Sequence, residues 1–403
     1  MVRPRLAIVG AGPIGLDAAL AAAERGWPFS VYEAGASPAA GVRAWGHVRM
    51  FTPWSMNVSP RMRARLEANG LEVPSGDQCP TGHELAESLL DPVADLPEVR
   101  ESLEVETRVA GIGRRGLLKH EEIATPARAE RPFRLLLSAP GSRECVAEAD
   151  IVVDCSGTYG QPNSTGGSGI PAVGEQQLGR RIRRTVPNVA AEEQDWAGRR
   201  TLLVGAGHSA QTAAADLAAL ASRAPGTEVV WAVRSAAPTW GAVADDPIPG
   251  RAALVEQTQR LVGGDAPSVR LVTGAVVESL TARDGQVAVV LCNGSTREIV
   301  VDQVLSLTGY VGDADLYRQL QVHECYATAA PINLSAALLG APAGDCLQQE
   351  SHGVDVLRNP EPNFFVLGSK SYGRNNQFLL RVGWEQVDEV FGALDAELGQ
   401  GRA

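Results

Sequence analysis

The chain has 403 residues, of which 44% are hydrophobic and 21% charged, and its formal net charge is −11. This length allows two or three domains with cores of their own, and the composition is that of a globular protein rather than a disordered one. The acidic balance, without a long run of Lys or Arg, argues against a nucleic-acid partner and favours small-molecule partners. No apolar stretch reaches the roughly 18 residues of a membrane span, so we expect a cytoplasmic protein without a membrane partner.

The first predicted strand, Leu6–Val9, runs into a glycine-rich turn and an alanine-rich helix. Gly10, Gly12 and Gly15 have the spacing of a dinucleotide-binding turn. In such a turn the first glycine permits the tight bend, the second admits the pyrophosphate and the third lets the helix pack on the strand. The next predicted strand ends at Glu33, about 20 residues further on, where a carboxylate can accept hydrogen bonds from the ribose hydroxyls. The sequence therefore predicts a dinucleotide site here.

Between residues 100 and 150, alternating apolar and polar residues predict an antiparallel meander. A stretch rich in Gly, Pro and Ser follows it, and we interpret residues 166–189 as a surface linker or hinge.

A second strand and glycine-rich turn follow in TLLVGAGHSA, residues 201–210. Gly205 and Gly207 match the first turn, and Ala210 stands where the third glycine would be, a substitution that the fingerprint allows. The next predicted strand ends at Arg234 instead of an acid. A guanidinium can bind a 2′-phosphate through paired hydrogen bonds, whereas a carboxylate would repel it. The second turn therefore favours NADPH over NADH.

Three further segments accompany the two turns: VVDCSGTYGQP at 152–162, VLSLTGYVGD at 304–313 and NFFVLGSKSYGRNNQFLLRVGWEQV at 363–387. With this combination the chain resembles the two-dinucleotide-binding-domain flavoproteins over nearly its whole length. The resemblance implies an α/β fold with two Rossmann-like dinucleotide-binding domains, the NAD(P)-binding domain being inserted in the FAD-binding domain. It also implies FAD and NADPH as cofactors. We expect the domains as follows: FAD-binding 1–165 and 301–403, NADPH-binding 190–300.

The resemblance implies further cofactor contacts outside the two turns. The segments 152–162 and 304–313, where the chain would cross between the two domains, would contribute Gly157 and Gly309. The start of the helix after the second turn would contribute Ser209. Near the C-terminus, a helix containing Phe378 would point its N-terminus at the pyrimidine edge of the flavin and stabilise negative charge there. The FAD contacts implied outside the first turn are Arg43, Trp45, Val109 on the adenine side, Gly368, Tyr372, Arg374 and Phe378.

The segment GVRAWGHVRMFTPWSMNVSP, residues 41–60, is dense in Arg, Trp, His and Phe. In the resembled monooxygenases this region lies along the flavin ring, which makes His47, Arg49 and Asn57 catalytic candidates. His47 is the candidate general acid or base. A structural role is the alternative for each, since buried aromatic and histidine side chains commonly serve packing.

Two branches of the resembled superfamily compete. The disulfide reductases carry paired cysteines and usually Gly-Asp in the last FAD strand. Here the six cysteines lack CxxC spacing, and Gly368 is followed by Ser369. The monooxygenases share the GxGxSA style of the second turn, but the segment at 185–200 lacks their FxGxxxHxxxY/F fingerprint. A redox pair of Cys325 and Cys346 would favour the reductases.

We expect an FAD- and NADPH-dependent monooxygenase that uses molecular oxygen. The resemblance implies oxygenation of a small N- or S-containing substrate through a C4a-hydroperoxyflavin. One alternative is a reductase of a disulfide, quinone or similar acceptor, and another is a flavin-binding redox sensor with little turnover. A homodimer is left open, and no metal site is predicted.

Overall fold

The structure is a computed structural model, and it describes residues 3–141, 144–340, 347 and 351–400. The chain divides into two compact units: the first comprises Met1–Gln161 and Val311–Ala403, and the second comprises Pro162–Tyr310. The second unit is thus inserted in the sequence of the first. None of the helices within the described ranges has the length and apolar character that a membrane crossing needs.

Both units contain strands and helices. The strands are β1 (Leu6–Val9), β2 (Phe29–Tyr32), β3 (Leu103–Glu104), β4 (Arg108–Arg114), β5 (Phe133–Ser138), β6 (Cys145–Ala149), β7 (Ile151–Asp154), β8 (Ile182–Arg183), β9 (Arg200–Val204), β10 (Glu228–Ala232), β11 (Val269–Val272), β12 (Val276–Arg283), β13 (Gln286–Cys292), β14 (Thr296–Val301), β15 (Gln303–Ser306), β16 (Glu324–Cys325), β17 (Ala330–Pro331) and β18 (Phe364–Val366). The helices are α1 (Pro13–Glu24), α2 (Ala40–Arg43), α3 (Trp54–Asn57), α4 (Pro60–Ala68), α5 (Gly82–Leu85), α6 (Asp91–Ala94), α7 (Pro97–Arg100), α8 (Pro126–Ala129), α9 (Glu175–Leu178), α10 (Glu193–Trp196), α11 (His208–Ala221), α12 (Pro249–Arg260), α13 (Ile332–Gly340), α14 (Val354–Leu357), α15 (Ser369–Tyr372) and α16 (Leu380–Gln400).

The first unit is built on a parallel sheet with the order β18-β7-β1-β2-β3. Since parallel strands point the same way, the residues that follow β1, β7 and β18 meet at one edge, the carboxyl edge of the first sheet. The helix α1 packs on one face, where its small buried side chains, such as Ala18 and Ala22, allow a close approach. The antiparallel sheet β4-β5-β6 lies over the other face, and its Phe133 shares a core with Val9 and Val152.

The predicted meander is present as β4, β5 and β6, but its flanking segments behave differently. The strands β3 and β7 are parallel members of the first sheet. All four residues of β7 are buried. A strand buried on both faces reads as a continuous apolar run, which is typical of a parallel sheet rather than of a half-exposed meander.

The second unit contains the parallel sheet β11-β10-β9-β15-β8 and the antiparallel sheet β12-β13-β14. The segment 166–189, expected to be a linker, contributes the edge strand β8 and the short helix α9 to this unit. Within it the buried Glu175 accepts hydrogen bonds from the backbone N–H of Thr165 at 2.8 Å and of Ala172 at 2.7 Å. Arg184 donates to the same carboxylate at 2.6 Å. These bonds fold the segment onto its own unit despite its loop-like composition.

A buried ion cluster in the first unit joins the insert after β4 to the C-terminal part of the chain. Glu361 accepts hydrogen bonds from Arg114 at 2.6 Å and from Arg128 at 2.7 Å, and all three side chains are buried. The backbone N–H of Gln321 donates to the same carboxylate at 2.8 Å. The cluster therefore connects segments that are more than 200 residues apart in the sequence.

Candidate functional site

The turn after β1 needs glycine at two of its three glycine positions for steric reasons. Gly10 has a φ of 97°, and a Cβ there would lie 2.8 Å from the carbonyl oxygen of Cys155. A Cβ on Gly15 would lie 1.9 Å from the carbonyl oxygen of Gly10. Gly12 precedes α1 as its N-cap, and no described atom lies within 4 Å of a Cβ built there. The backbone at Gly12 is therefore open to a ligand beside the helix N-terminus, as a dinucleotide turn requires.

Glu33 is held beside this turn by backbone hydrogen bonds. Its Oε2 accepts from the N–H of Ala11 at 2.9 Å and its Oε1 from the N–H of Gly35 at 2.7 Å. An ionised carboxylate can accept about four hydrogen bonds, so both oxygens keep capacity for ligand hydroxyls. The N–H of Thr107 donates to the carbonyl of Glu33 at 2.8 Å, which brings the chain leading to the buried Val109 next to the end of β2.

The loops after β7 and β18 lie beside the first turn on the carboxyl edge. Gly157 and Gly368 have φ values of 68° and 73°, which favour glycine. A Cβ on Gly157 would lie 3.8 Å from Oγ of Ser369, so the two loops are neighbours. Open parallel sheets bind their ligands at this edge. The structure thus brings these two predicted glycines to the same edge as the dinucleotide turn.

Tyr372 carries a buried polar group without a partner. The residue is fully buried, and its hydroxyl has no hydrogen-bond partner among the described residues. Burial raises the pKa of this phenol to about 12, so it stays protonated at neutral pH and can donate. The ring packs edge-on against Phe378 with centroids 5.3 Å apart. Leaving a buried hydroxyl without a hydrogen bond costs about 1–3 kcal/mol of folding free energy. A bound ligand with a polar acceptor beside Tyr372 would remove this cost.

The C-terminal helix begins later than predicted. The prediction that Phe378 lies in this helix is wrong, because α16 starts at Leu380. The side chain of Asn375 accepts a hydrogen bond from the backbone N–H of Gln377 at 2.9 Å, and such local side-chain bonds compete with helix formation. Arg374 is exposed, and its backbone N–H donates to the carbonyl of Thr328 at 2.7 Å.

Two implied flavin contacts in the 41–60 segment have local structural partners. Arg43 donates to Oδ2 of Asp91 at 2.6 Å and to the carbonyl of Pro38 at 3.2 Å. Trp45 is half-buried and packs against Gly82, where a Cβ would lie 2.8 Å from the indole ring. Their contact with a flavin stays a prediction.

The three catalytic candidates occupy different environments. Asn57 is buried and donates to the carbonyls of Thr52 at 2.8 Å and Pro53 at 3.0 Å, which uses both of its amide protons. Arg49 is exposed, with a nitrogen 3.7 Å from a carboxylate oxygen of Glu84. His47 is half-buried in the turn that follows α2. Their catalytic roles remain predictions.

The turn after β9 repeats the first two positions of the first turn. Gly205 has a φ of 127°, and a Cβ there would lie 2.2 Å from the carbonyl oxygen of Leu307. Gly207 is the N-cap of α11, and no described atom lies within 4 Å of a Cβ built there. Ala210 is buried at the third position. The carbonyl of Gly205 accepts a hydrogen bond from the indole N–H of Trp231 at 2.7 Å.

The remaining predicted cofactor contacts of the second unit are Ser209, Arg234 and Gly309. Ser209 is exposed in the first turn of α11. Arg234 is exposed two residues beyond β10 and has no hydrogen bond or ion pair within the described part of the chain. Gly309 has a φ of 84°, and a Cβ there would lie 3.4 Å from the side-chain amide of Asn163. An exposed guanidinium and an open backbone are what a nucleotide phosphate needs.

A buried ion pair at the carboxyl edge was not predicted from the sequence. Lys370 donates to Oδ2 of Asp154 at 2.6 Å and to Oγ of Ser156 at 3.1 Å. Ser156 donates to Oδ1 of Asp154 at 2.6 Å. Lys370 is 1% exposed and Asp154 is 0% exposed. One signal was available: of the 36 Lys and Arg residues only two are lysines, Lys119 and Lys370, and Lys370 closely follows an apolar run.

Two cysteines of the first unit have pKa values shifted in opposite directions. Burial raises the pKa of the Cys155 thiol well above its usual value, which makes it a poor nucleophile. Hydrogen bonds from the backbone N–H and side chain of Thr328 lower the pKa of Cys325. Cys346, its partner in the alternative redox pair, lies outside the described residues.

The sequence matches no protein-family profile and no curated protein sequence. Solved structures match nearly the whole chain. The bacillithiol disulfide reductase Bdr (YpdA) from Bacillus cereus superposes with a TM-score of 0.68 at 16% identity, covering 98% of this chain and 99% of that one. The ornithine hydroxylase PvdA from Pseudomonas aeruginosa gives 0.65 at 17% identity, covering 98% and 100%. The thioredoxin reductase of T. acidophilum gives 0.59 at 13% identity, covering 98% and 99%.

The chain has the fold that these solved structures share. The predicted α/β class with two Rossmann-like sheets is thereby confirmed. Solved structures with this fold include a disulfide reductase and an ornithine hydroxylase. Because the identities are so low, the likeness establishes the fold and leaves the reaction to be argued from this chain's own residues.

Proposed function

We propose that the chain is an FAD-dependent NADPH oxidoreductase, with FAD in the first unit and NADPH in the second. The observation that carries this proposal is the pair of glycine turns. Both hold an open second glycine at a helix N-terminus, but Glu33 stands beyond the strand that follows the first turn and Arg234 beyond the strand that follows the second. A carboxylate suits a ribose with free hydroxyls, and a guanidinium suits a 2′-phosphate.

The residues of the first unit fit FAD. The backbone at Gly12 and the N-terminus of α1 would hold the pyrophosphate, and Glu33 would accept the ribose hydroxyls. Tyr372 would donate its unpartnered hydroxyl to a polar atom of the cofactor. When bound, FAD supplies the ability to take up hydride from NADPH and to pass electrons to an acceptor.

For the reaction itself we propose oxygenation of a small N- or S-containing substrate by molecular oxygen. None of the described cysteines is in a disulfide, and Cys155, which lies at the carboxyl edge, is buried with a raised pKa. An ornithine hydroxylase shares this fold over 98% of the chain, but a disulfide reductase does so equally, so the choice between them depends on the cysteines. Within this proposal His47 is the candidate acid or base, and the roles of Arg49 and Asn57 are part of the same hypothesis.

Stopped-flow absorbance tests the oxygenation. The flavin-loaded protein is reduced anaerobically with NADPH and then mixed with oxygenated buffer. We expect a transient band at about 370–380 nm before the oxidised flavin returns. Direct return of oxidised flavin without this band would contradict a monooxygenase.

A reductase is the second candidate, and Cys325 is the observation that favours it. Its lowered pKa gives it more thiolate at neutral pH than an ordinary thiol has. Counting free thiols before and after reduction by NADPH distinguishes the two functions. A gain of two thiols, lost in Cys325→Ser, would support the reductase, whereas unchanged and fully free thiols would exclude a redox pair.

A further inference from the structure

We propose that the buried Lys370–Asp154 pair sets the electrostatic field at the flavin site, with Lys370 favouring the reduced flavin and Asp154 opposing it. The inference rests on the proposed binding of FAD to the first unit. It assigns a positioning and tuning role to two residues that were not among the predicted site residues, although each lies in a segment that carries the resemblance.

The pair lies directly behind the loops of the carboxyl edge. Asp154 is the last residue of β7, and Ser156, which bonds to both partners, is followed by Gly157. Lys370 comes two residues after Gly368. The two glycine loops that meet at this edge are thus each attached to one member of the ion pair.

The surroundings hold the lysine in one place. Its aliphatic stem packs against the backbone of Gly312, where a Cβ would lie 2.5 Å from Cγ of Lys370. Its ammonium lies 5.1 Å from the ring centroid of Tyr317. A charge that is fixed in an apolar environment acts more strongly on its neighbours than a charge in water.

Stability does not explain why this pair is present. Asp154 ends β7, and Lys370 lies in α15 shortly after β18, so the pairing of β7 with β18 already brings the two segments side by side. The Glu361 cluster, in contrast, connects an insert to a distant segment. Burying an ion pair where hydrophobic residues would fit is often neutral or unfavourable for stability. A role at the adjacent ligand edge accounts for the cost.

The test is the reduction potential of the bound flavin in two variants, one that removes the positive charge of the pair and one that removes the negative charge. Lys370→Met leaves the carboxylate, so we expect the ratio of reduced to oxidised flavin at a fixed potential to fall on the order of tenfold. Asp154→Asn leaves the ammonium, so the ratio should rise by a similar factor. Lys370→Arg should keep the wild-type ratio. Shifts in the same direction, or no shift in either variant, would overturn the proposal, because a structural role alone does not reverse with the sign of the charge.

The scarcity of lysine provides a second readout with the unchanged protein. Labelling with isotopic lysine gives side-chain NMR signals from only Lys119 and Lys370. Reduction of the bound flavin should move the Lys370 signal and leave that of the exposed Lys119 in place, with Lys119→Met supplying the assignment and the matched control. An unmoved Lys370 signal contradicts the inference. A chain that binds no FAD would instead refute the proposed function, so the two failures are distinguishable.

Discussion

The two glycine-rich turns share a backbone and differ in what surrounds it. In both, the first glycine packs against the carbonyl of a neighbouring strand's loop, at Cys155 for Gly10 and at Leu307 for Gly205. In the first turn a Cβ at the third position would collide with the carbonyl of Gly10, whereas the second turn accommodates Ala210. The difference shows that the third glycine is needed only where the helix approaches the turn carbonyl closely.

The indole of Trp231 marks the physical difference between the turns. It donates to the carbonyl of Gly205, the atom equivalent to the one that crowds Gly15. The sequence following each turn diverges in the same way, since Glu33 is bonded to the backbone of its own turn while Arg234 is left exposed. One unit is therefore shaped around its carboxylate, and the other presents a free cation to the solvent.

Exchanging the third residue of each turn, Gly15 or Ala210, should give the largest difference between the two turns. In Gly15→Ala the new methyl group would lie 1.9 Å from the carbonyl of Gly10, so we expect a loss of about 3 kcal/mol and of bound FAD. Ala210→Gly removes a methyl group from a helix and should cost only about 1 kcal/mol. Urea unfolding and the FAD content per chain measure both effects. Equal losses in the two variants would show that the turns are not different.

Removing the charge of Glu33 should affect only the first site. Glu33→Gln weakens a charge-assisted contact worth roughly 1.5–3 kcal/mol, so FAD should bind about 10- to 100-fold more weakly while NADPH binding is unchanged. Glu104→Gln, at the exposed end of the neighbouring strand β3, is the matched control. Isothermal titration measures both affinities. An unaltered FAD affinity in Glu33→Gln would remove Glu33 from the site.

The corresponding change in the second unit concerns cofactor preference. Arg234→Ala should weaken NADPH about 10- to 100-fold and leave NADH unaffected, since only NADPH carries the 2′-phosphate. Arg223→Ala, an exposed arginine beyond the far end of α11, should change neither affinity. The ratio of the two Kd values is the measurement. Equal weakening of both nucleotides would argue against a phosphate contact.

The smallest effect is expected from a carboxylate on the helix of the second turn. Burial raises the pKa of Asp216 in α11 from 3.8 to about 6. Because the folded form binds the proton more tightly, its contribution to stability is complete below about pH 4 and is lost as the pH rises through about 6. Asp216→Asn should therefore stabilise the protein at pH 8 by about 1 kcal/mol and flatten this pH dependence. Denaturant unfolding at pH 4, 6 and 8 checks it, and an unchanged pH profile would contradict the assignment.

Local patterns carried the parts of the fold that depend on local geometry. The bounds of β1 and the spacing of both turns follow from an apolar run ending in glycine, and the structure has β1 where it was predicted. The linker interpretation of 166–189 depended on composition, which does not reveal that Glu175 gathers three segments. The start of α16 was misjudged because a single bond from Gln377 to Asn375 delays the helix.

Sequence motifs predicted the glycine turns of the candidate site but not the contacts between residues that are distant in the sequence. The Lys370–Asp154 pair joins residues 216 positions apart, and the unpartnered hydroxyl of Tyr372 exists only in the packed chain. It was equally impossible to predict that Asn57 donates both amide protons to nearby backbone carbonyls, those of Thr52 and Pro53. Such properties arise from packing rather than from residue type and spacing.

The most direct test of two different dinucleotides in two units is an anaerobic titration of the purified, FAD-supplemented protein with NADPH. We predict one FAD per chain, reduced by about one equivalent of NADPH because hydride transfer moves two electrons to the flavin. In Arg234→Ala the FAD content and the single equivalent of NADPH should persist, while reduction at a given NADPH concentration becomes slower. A chain that holds no FAD, or that holds FAD which NADPH fails to reduce, would contradict the account.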